Sequence, residues 1–224
     1  MKALTPNCVF FDLDGTLLDS LPGIEYSVRA AFTACNLPLL HPDLSQFIGP
    51  PIRTILSQAG NVSDSSSLDA LEQAFRASYD SDGWRKTAPF PGAVQVLHAL
   101  HQQDRRLFVV SNKPRHISLR ILEAERIVDL FESIATVDSR SPIYSGKAEM
   151  LVTLMSSLHL ASGESLFVGD TMEDADAAKA AGIEFAWMRH GYGFYPQDAT
   201  RAMEYMFDNF FEFLPLIAKE QVHD

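Results

Sequence analysis

Asp12-Leu13-Asp14-Gly15-Thr16 directly follows the short apolar run Cys8-Val9-Phe10-Phe11. Two carboxylates at i and i+2 beside apolar surface are costly to bury unless a cation or a proton neutralises them. A calcium loop of the EF-hand type is excluded, because the sixth and twelfth positions counted from Asp12 hold Leu17 and Gly23 rather than Gly and Glu. Two readings remain: a solvated strand end, or a reactive site at the carboxyl end of a strand, where open α/β sheets bind ligands. A second acidic segment has the same setting, with Leu166-Phe167-Val168 running into Gly169-Asp170-Thr171-Met172-Glu173-Asp174. Taken alone, Asp170, Thr171 and Asp174 suit the first turn of a helix. Two aspartate clusters on strands of one sheet suggest more. Asp12 and Asp170 could converge on a hard, oxygen-preferring cation such as Mg²⁺, which is commonly held by one or two carboxylates with a substrate phosphate and waters.

Further groups that could meet a phosphate lie between these clusters. Val109-Val110 leads into Ser111-Asn112-Lys113, which places a hydroxyl and an amide at the end of another apolar run; a turn with a cap before Pro114 is the plainer alternative. Lys147 follows Gly146 and opens an amphipathic stretch. It does not belong to a nucleotide P-loop, whose required Gly and Ser/Thr positions hold Ser141 and Ala148. Gly-x-Ser-x-Gly and His-Glu-x-x-His are both absent, and His98 and His101 have no carboxylate partner to suggest a metal.

The elements that must position these residues are legible as short apolar runs alternating with helix-period segments. The runs at 8–11, 107–110, 134–137, 166–168 and 185–188 read as strands, the continuous ones buried on both faces. Helical periodicity falls between them, at Val94/Leu97/Leu100, Ile117/Ile121/Ala124, Leu151/Val152/Met155/Leu158 and Ala175/Ala178, the last stopped by Gly182. This alternation predicts an α/β fold, a Rossmann-like three-layer core around a central parallel sheet. One interval breaks the rhythm. After Gly15 the pattern is helical at Ile24/Val28/Phe32/Cys35, Ile52/Ile55/Leu56/Ala59 and Leu68/Leu71/Phe75/Tyr79. Roughly 70 residues of helix are too many for a loop, so a smaller all-helical domain is expected over 19–88, with the core formed by 1–18 and 89–224. Pro and Gly mark its hinges near Asp19–Gly23 and Ala88–Gly92. Phe210–Leu214 reads as a terminal helix or strand packed on the core.

Composition limits the partners. Among 224 residues, 18 Lys and Arg face 29 Asp and Glu, a formal net charge of −11, which disfavours nucleic acid and anionic membranes. No apolar stretch approaches a membrane span of about 18 residues, and the N-terminus does not read as a signal peptide. Two cysteines, Cys8 and Cys35, are too few for a disulfide framework; both are expected to be buried thiols in a cytoplasmic protein.

The ordered set Asp-x-Asp-Gly-Thr, Ser-Asn, Lys and Gly-Asp-x-x-x-Asp resembles the haloacid-dehalogenase superfamily over nearly the whole chain. Phe90-Pro91-Gly92, Gly182-Ile183 and Gly191-Tyr192-Gly193 are similar to its phosphoglycolate-phosphatase-like branch. The resemblance implies a Mg²⁺-dependent phosphatase acting on small phosphomonoesters such as phosphoglycolate, a sugar phosphate or a nucleoside monophosphate. In it Asp12 is the nucleophile that forms an aspartyl-phosphate and Asp14 the general acid and base. Lys147 supports the reaction, while Thr16, Ser111, Asn112 and Lys147 bind the phosphate. The metal is held by Asp12, the Asp14 backbone carbonyl, Asp170 and, through water, Asp174. Asp14 argues against dehalogenation, where a halide leaves without a proton, and Lys86 is the only insert lysine available for phosphonate chemistry. The helical insert is similar to that superfamily's cap domain, and Arg53, in Phe47-Ile48-Gly49-Pro50-Pro51-Ile52-Arg53, is a candidate cap contact for a substrate anion. Where relatives commonly carry Lys-Pro-x-Pro, this chain has Lys147-Ala148-Glu149-Met150. The alternatives are a phosphomutase using the same aspartyl-phosphate, or a non-enzymatic phosphate-responsive regulator. The expected partner is a small phosphorylated metabolite, and the expected state a monomer or homodimer.

Overall fold

A computed structural model describes residues 6–193 and 205–217; the ends of the expected core segments, 1–5 and 218–224, and the stretch 194–204 lie outside the described residues. In chain order the principal elements begin with β1 (Cys8–Phe11), β2 (Leu18–Asp19), α1 (Leu21–Ala34), α2 (Ile52–Gly60), α3 (Ser65–Ser81) and β3 (Ala88–Pro89). There follow α4 (Ala93–His101), β4 (Arg106–Ser111), α5 (Arg115–Ala124), β5 (Ser133–Thr136) and α6 (Lys147–Ser157). The chain continues through β6 (Ser165–Gly169), α7 (Met172–Ala181), β7 (Glu184–Met188), β8 (Tyr205–Phe207) and α8 (Phe210–Ile217).

Among the described residues six strands form one sheet in the order β5-β4-β1-β6-β7-β8, and every neighbouring pair is parallel. All residues of β1 are buried, as a strand covered on both faces requires. Successive side chains go to opposite sides. Phe10, Phe108 and Phe167 join Met150 and Leu151 of α6 and Ala177 and Ala178 of α7. Val9, Phe11, Val109 and Val168 join α4, α5 and Phe210 and Phe213 of α8 on the other face. The five expected strands are present. A sixth, β8, was not expected, because three residues carry too little periodicity to be read. The terminal Phe-rich stretch is a helix.

Strand order reverses at β1: the chain goes next to β4 on one side and returns later to β6 on the other. That is a topological switch point, where the carboxyl ends of strands leave a crevice. Phe11 pairs in register with Val109 and Val168. Asp12, Ser111 and Asp170 therefore emerge side by side at one end of the sheet.

The interval expected to be purely helical contains α1, α2 and α3, with the predicted apolar faces buried. It differs at its margins, where β2 and β3 pair as an antiparallel ribbon and the Phe90 N–H donates to the Leu17 carbonyl at 2.9 Å. Two-residue strands leave no pattern to read. Cys8 is buried and Cys35 only partly so, a correction to the expectation of two buried thiols; both are free. Among the described residues no helix is long and apolar enough to cross a membrane.

Candidate active site

Asp12 continues β1 by donating its N–H to the Val168 carbonyl at 3.0 Å. The chain then turns sharply, with the Leu18 N–H returning to the Leu13 carbonyl at 2.8 Å. Gly15 sits in the turn at φ +87°, and a Cβ there would overlap the Asp170 carboxylate. Glycine is thus required both by the backbone and by the neighbour.

Asp170, one residue past β6, is held on both oxygens. The Thr16 hydroxyl donates to Oδ1 at 2.9 Å, and the Tyr192 and Gly193 N–H groups donate to Oδ2 at 2.8 and 3.2 Å. Asp174 lies in the first turn of α7, where it and the N-cap Thr171 form a reciprocal capping box. Its Oδ2 accepts from the Thr171 N–H at 3.0 Å, and its Oδ1 accepts from Lys147 Nζ at 2.7 Å. Asp174 thus caps α7 through Oδ2 and meets Lys147 through Oδ1. Lys147 Nζ also lies 3.0 Å from Asp12 Oδ2.

Carboxylate oxygens of Asp12, Asp170 and Asp174 all lie within 4.8 Å of one another, and all three residues are buried. Among the described residues one buried ammonium, that of Lys147, stands against these three acids. Burial raises Asp12 well above the usual carboxylate range; Lys147 opposes the rise, and Asp174, Asp170 and Asp14 add to it. Burial, then Asp174, raises Asp170 to about 7, opposed by Lys147 and by the Tyr192 and Thr16 hydrogen bonds. Burial would lower Lys147, but Asp12 and Asp174 outweigh it and hold the ammonium protonated. Three buried oxygen donors with an excess of negative charge fit a hard divalent cation, and no nitrogen or sulfur ligand competes among them.

The carboxylate of Asp14 turns away from this group. Both its oxygens accept from Lys113 Nζ, at 2.9 and 3.1 Å, and the same ammonium donates to the Tyr79 hydroxyl of α3 at 2.9 Å. Burial would lower Lys113, yet Asp14 and Tyr79 raise it overall. Ser111, buried at the end of β4, accepts from the Lys113 N–H at 3.3 Å. Asn112 donates to both oxygens of Glu173 at 2.9 Å. A cavity of about 50 Å³ opens over Asp12, bordered by Asp14, Ser111, Asn112, Lys113 and Lys147. It leads toward a larger one of about 520 Å³ between the insert and the core.

Two expected site residues stand differently. Thr16 is fully buried and its hydroxyl is committed to Asp170, so the side chain positions a carboxylate instead of facing the cavity over Asp12. Arg53 borders the larger cavity, but its guanidinium is held by Asp69 at 2.7 Å and Glu72 at 3.3 Å. Sequence reasoning missed Lys113, although it directly follows the Ser-Asn pair. Periodicity places Tyr79 at an apolar helix position; its ring is buried as expected, but periodicity carries no information about its hydroxyl. The backbone donors of Tyr192 and Gly193 leave no side-chain signature at all.

Fold and site together define an α/β protein with an oxygen-donor acidic centre at the switch point of its sheet. The chain belongs to the haloacid dehalogenase-like hydrolase family, whose family model matches residues 9–188. It is 32% identical over 189 residues to a phosphoglycolate phosphatase of Cereibacter sphaeroides (strain ATCC 17025), covering 82% of this chain and 85% of that protein. It is 33% identical over 190 residues to the tyrosine-protein kinase PtkA of Mycobacterium tuberculosis (strain H37Rv), spanning 84% of this chain but 64% of PtkA. Among solved structures, a predicted phosphoglycolate phosphatase from Haemophilus somnus 129PT superposes with a TM-score of 0.82 at 28% identity, covering 94% of this chain and 97% of that one.

Proposed function

We propose that the chain is a Mg²⁺-dependent phosphatase of small phosphomonoesters working through an aspartyl-phosphate on Asp12. The carrying observation is the convergence of Asp12, Asp170 and Asp174 within 4.8 Å around one buried lysine. In this reading Asp12, the Asp14 main-chain carbonyl and Asp170 hold the cation, and Asp174 orders a bound water. The cation supplies charge neutralisation between a carboxylate and a phosphate dianion.

The remaining work falls to the chain itself. Asp12 attacks phosphorus, dividing one hard displacement into two easier ones. Asp14 gives a proton to the leaving alcohol and later takes one from the hydrolytic water. Ser111, Asn112 and Lys147 hold the transferring oxygens in the small cavity and stabilise charge as it develops. Thr16 acts through Asp170. Residues 19–88 form a cap domain on a core of 1–18 and 89–224, a division supported by the side-by-side crossing at β2 and β3. The cap excludes water and meets the leaving group. All the residues invoked come from one chain, so a monomer suffices. The similarity to a tyrosine kinase favours one second reading, in which the same phosphorylated Asp12 passes its phosphoryl group to an acceptor other than water.

The test is phosphate release from p-nitrophenyl phosphate and a panel of phosphorylated metabolites, with Mg²⁺ and with chelator. Metal-dependent release abolished by Asp12→Asn is expected. Release that ignores the chelator, or an Asp12→Asn rate equal to wild type, contradicts the proposal. Transfer to an added alcohol in place of phosphate release favours the second reading.

A further inference from the structure

The two cavities share Asp14, Ile24, Pro50, Ile55, Asn112 and Lys113 on their walls, so they are successive compartments of one site. The inner one, about 50 Å³ and bordered by Asp12, Ser111 and Lys147, has about a tenth of the outer one's volume and suits the phosphoryl group alone. The organic part of an ester must then occupy the outer compartment, whose volume of about 520 Å³ lies within the range of roughly 300–1,000 Å³ for pockets that enclose drug-sized ligands.

Its walls specify chemistry as well as size. Branched aliphatic side chains face it from both sides, Ile52 and Ile55 from the insert and Ile117 and Val137 from the core. Two rings, Phe75 and Tyr79, stack 5.3 Å apart on the insert side. Among the described residues the cations on its walls are already engaged: Arg53 by Asp69 and Glu72, Arg76 by Glu72, and Lys113 by Asp14, while the His116 ring lies 3.2 Å from Asp80. Acids Glu72, Asp80 and Glu173 also face the space. A carboxylate entering here must compete for a cation with an acid of the chain and approach further acids. An uncharged ring gains apolar contact on both sides.

Resting on the phosphatase reading above, we propose that the alcohol released is an uncharged, ring-bearing group of nucleoside or aryl size, in preference to a small carboxylate such as glycolate. Arg53 then serves to hold α2 against α3 and leaves substrate anions unread.

The test compares esters of primary alcohols, so that leaving-group reactivity is matched: 2-phenylethyl phosphate, a nucleoside 5′-monophosphate, ethyl phosphate and phosphoglycolate, with the full chain in Mg²⁺. The better of the two bulky esters is expected to exceed both small ones by at least about tenfold in kcat/KM, as differences of a few apolar groups allow. Ile52→Trp and Val137→Trp, at half-buried wall positions, are each expected to raise KM for the bulky ester about fivefold more than KM for ethyl phosphate, through lost space and contact. Phosphoglycolate as the best substrate, or equal KM changes for bulky and small esters, overturns the inference and leaves the phosphatase reading intact. Binding of the same esters to Asp12→Asn, measured by calorimetry, separates the two failures. No turnover by wild type with tighter binding of the bulky ester sinks the phosphatase reading alone; no preference in binding sinks the inference.

Discussion

Replacing Lys147 with Met removes the ammonium between Asp12 and Asp174 while keeping an unbranched side chain of similar length. Lys147 is 3% exposed, and its partners Asp12 and Asp174 are 4% and 0% exposed. Breaking a buried pair by removing one partner typically costs about 3–5 kcal/mol, because the remaining charge is left uncompensated. Here one ammonium serves two acids, so the two losses do not simply add. For a chain of this size each kcal/mol moves Tm by about 2–4 °C, giving an expected drop of about 6–20 °C in chelator. The deficit depends on pH with a definite sign. Asp12 and Asp170 are already raised in the fold, and losing the ammonium raises Asp12 further. An acid raised by folding contributes stability at low pH that is lost as pH climbs through its folded value. The variant should therefore lie nearer wild type at pH 5 than at pH 8. Mg²⁺ should restore part of the loss, up to about 2.7 kcal/mol at a hundred times its Kd. Calorimetry or urea unfolding of both proteins at pH 5 and 8, with chelator and with Mg²⁺, measures all three effects. A Lys147→Met protein within about 0.5 kcal/mol of wild type at pH 8 in chelator, the ordinary range for inconsequential surface changes, refutes the reasoning.

Asp14→Asn should lower kcat on alkyl phosphates by about 10²–10⁴-fold, the usual contribution of general acid catalysis, and much less on p-nitrophenyl phosphate, whose leaving group needs no proton; equal losses would count against the role of Asp14. Gly15→Ala, at φ +87° and against Asp170, should cost on the order of 1–3 kcal/mol by urea unfolding and weaken Mg²⁺ by about tenfold or more in calorimetry. Burial lowers His190 below its ordinary value, so the unfolded chain takes up that proton first, and stability should fall as pH drops below about 6.5. His190→Gln should flatten that slope in unfolding curves between pH 7 and 5; an unchanged slope removes His190 as its source.

The strands and the helices of the insert were legible because apolar burial writes a period into the sequence: Phe10 and Phe108, which stack 4.7 Å apart inside the core, sit in runs no exposed loop would carry. The acids were legible because a carboxylate beside a buried strand demands a partner. What was not legible depends on contacts between distant segments. Lys113 meets Asp14 99 positions away, and Tyr79 reaches that ammonium from the insert. Thr16 meets Asp170 across 154 positions, which turned an expected phosphate ligand into a support for a carboxylate. Arg53 could be placed near the site from its local setting, but Asp69 and Glu72 lie a helix away, and they decide what its charge is free to do.

The central claim is that the phosphoryl group passes through Asp12. Mixing the protein with Mg²⁺ and a turned-over phosphomonoester, quenching in acid during turnover, reducing with borohydride and sequencing the peptides by mass spectrometry tests it directly. Conversion of Asp12 to homoserine, dependent on substrate and on Mg²⁺, is the predicted result. Turnover with Asp12 unmodified, or modification at Asp14 or Asp170 in its place, contradicts the account.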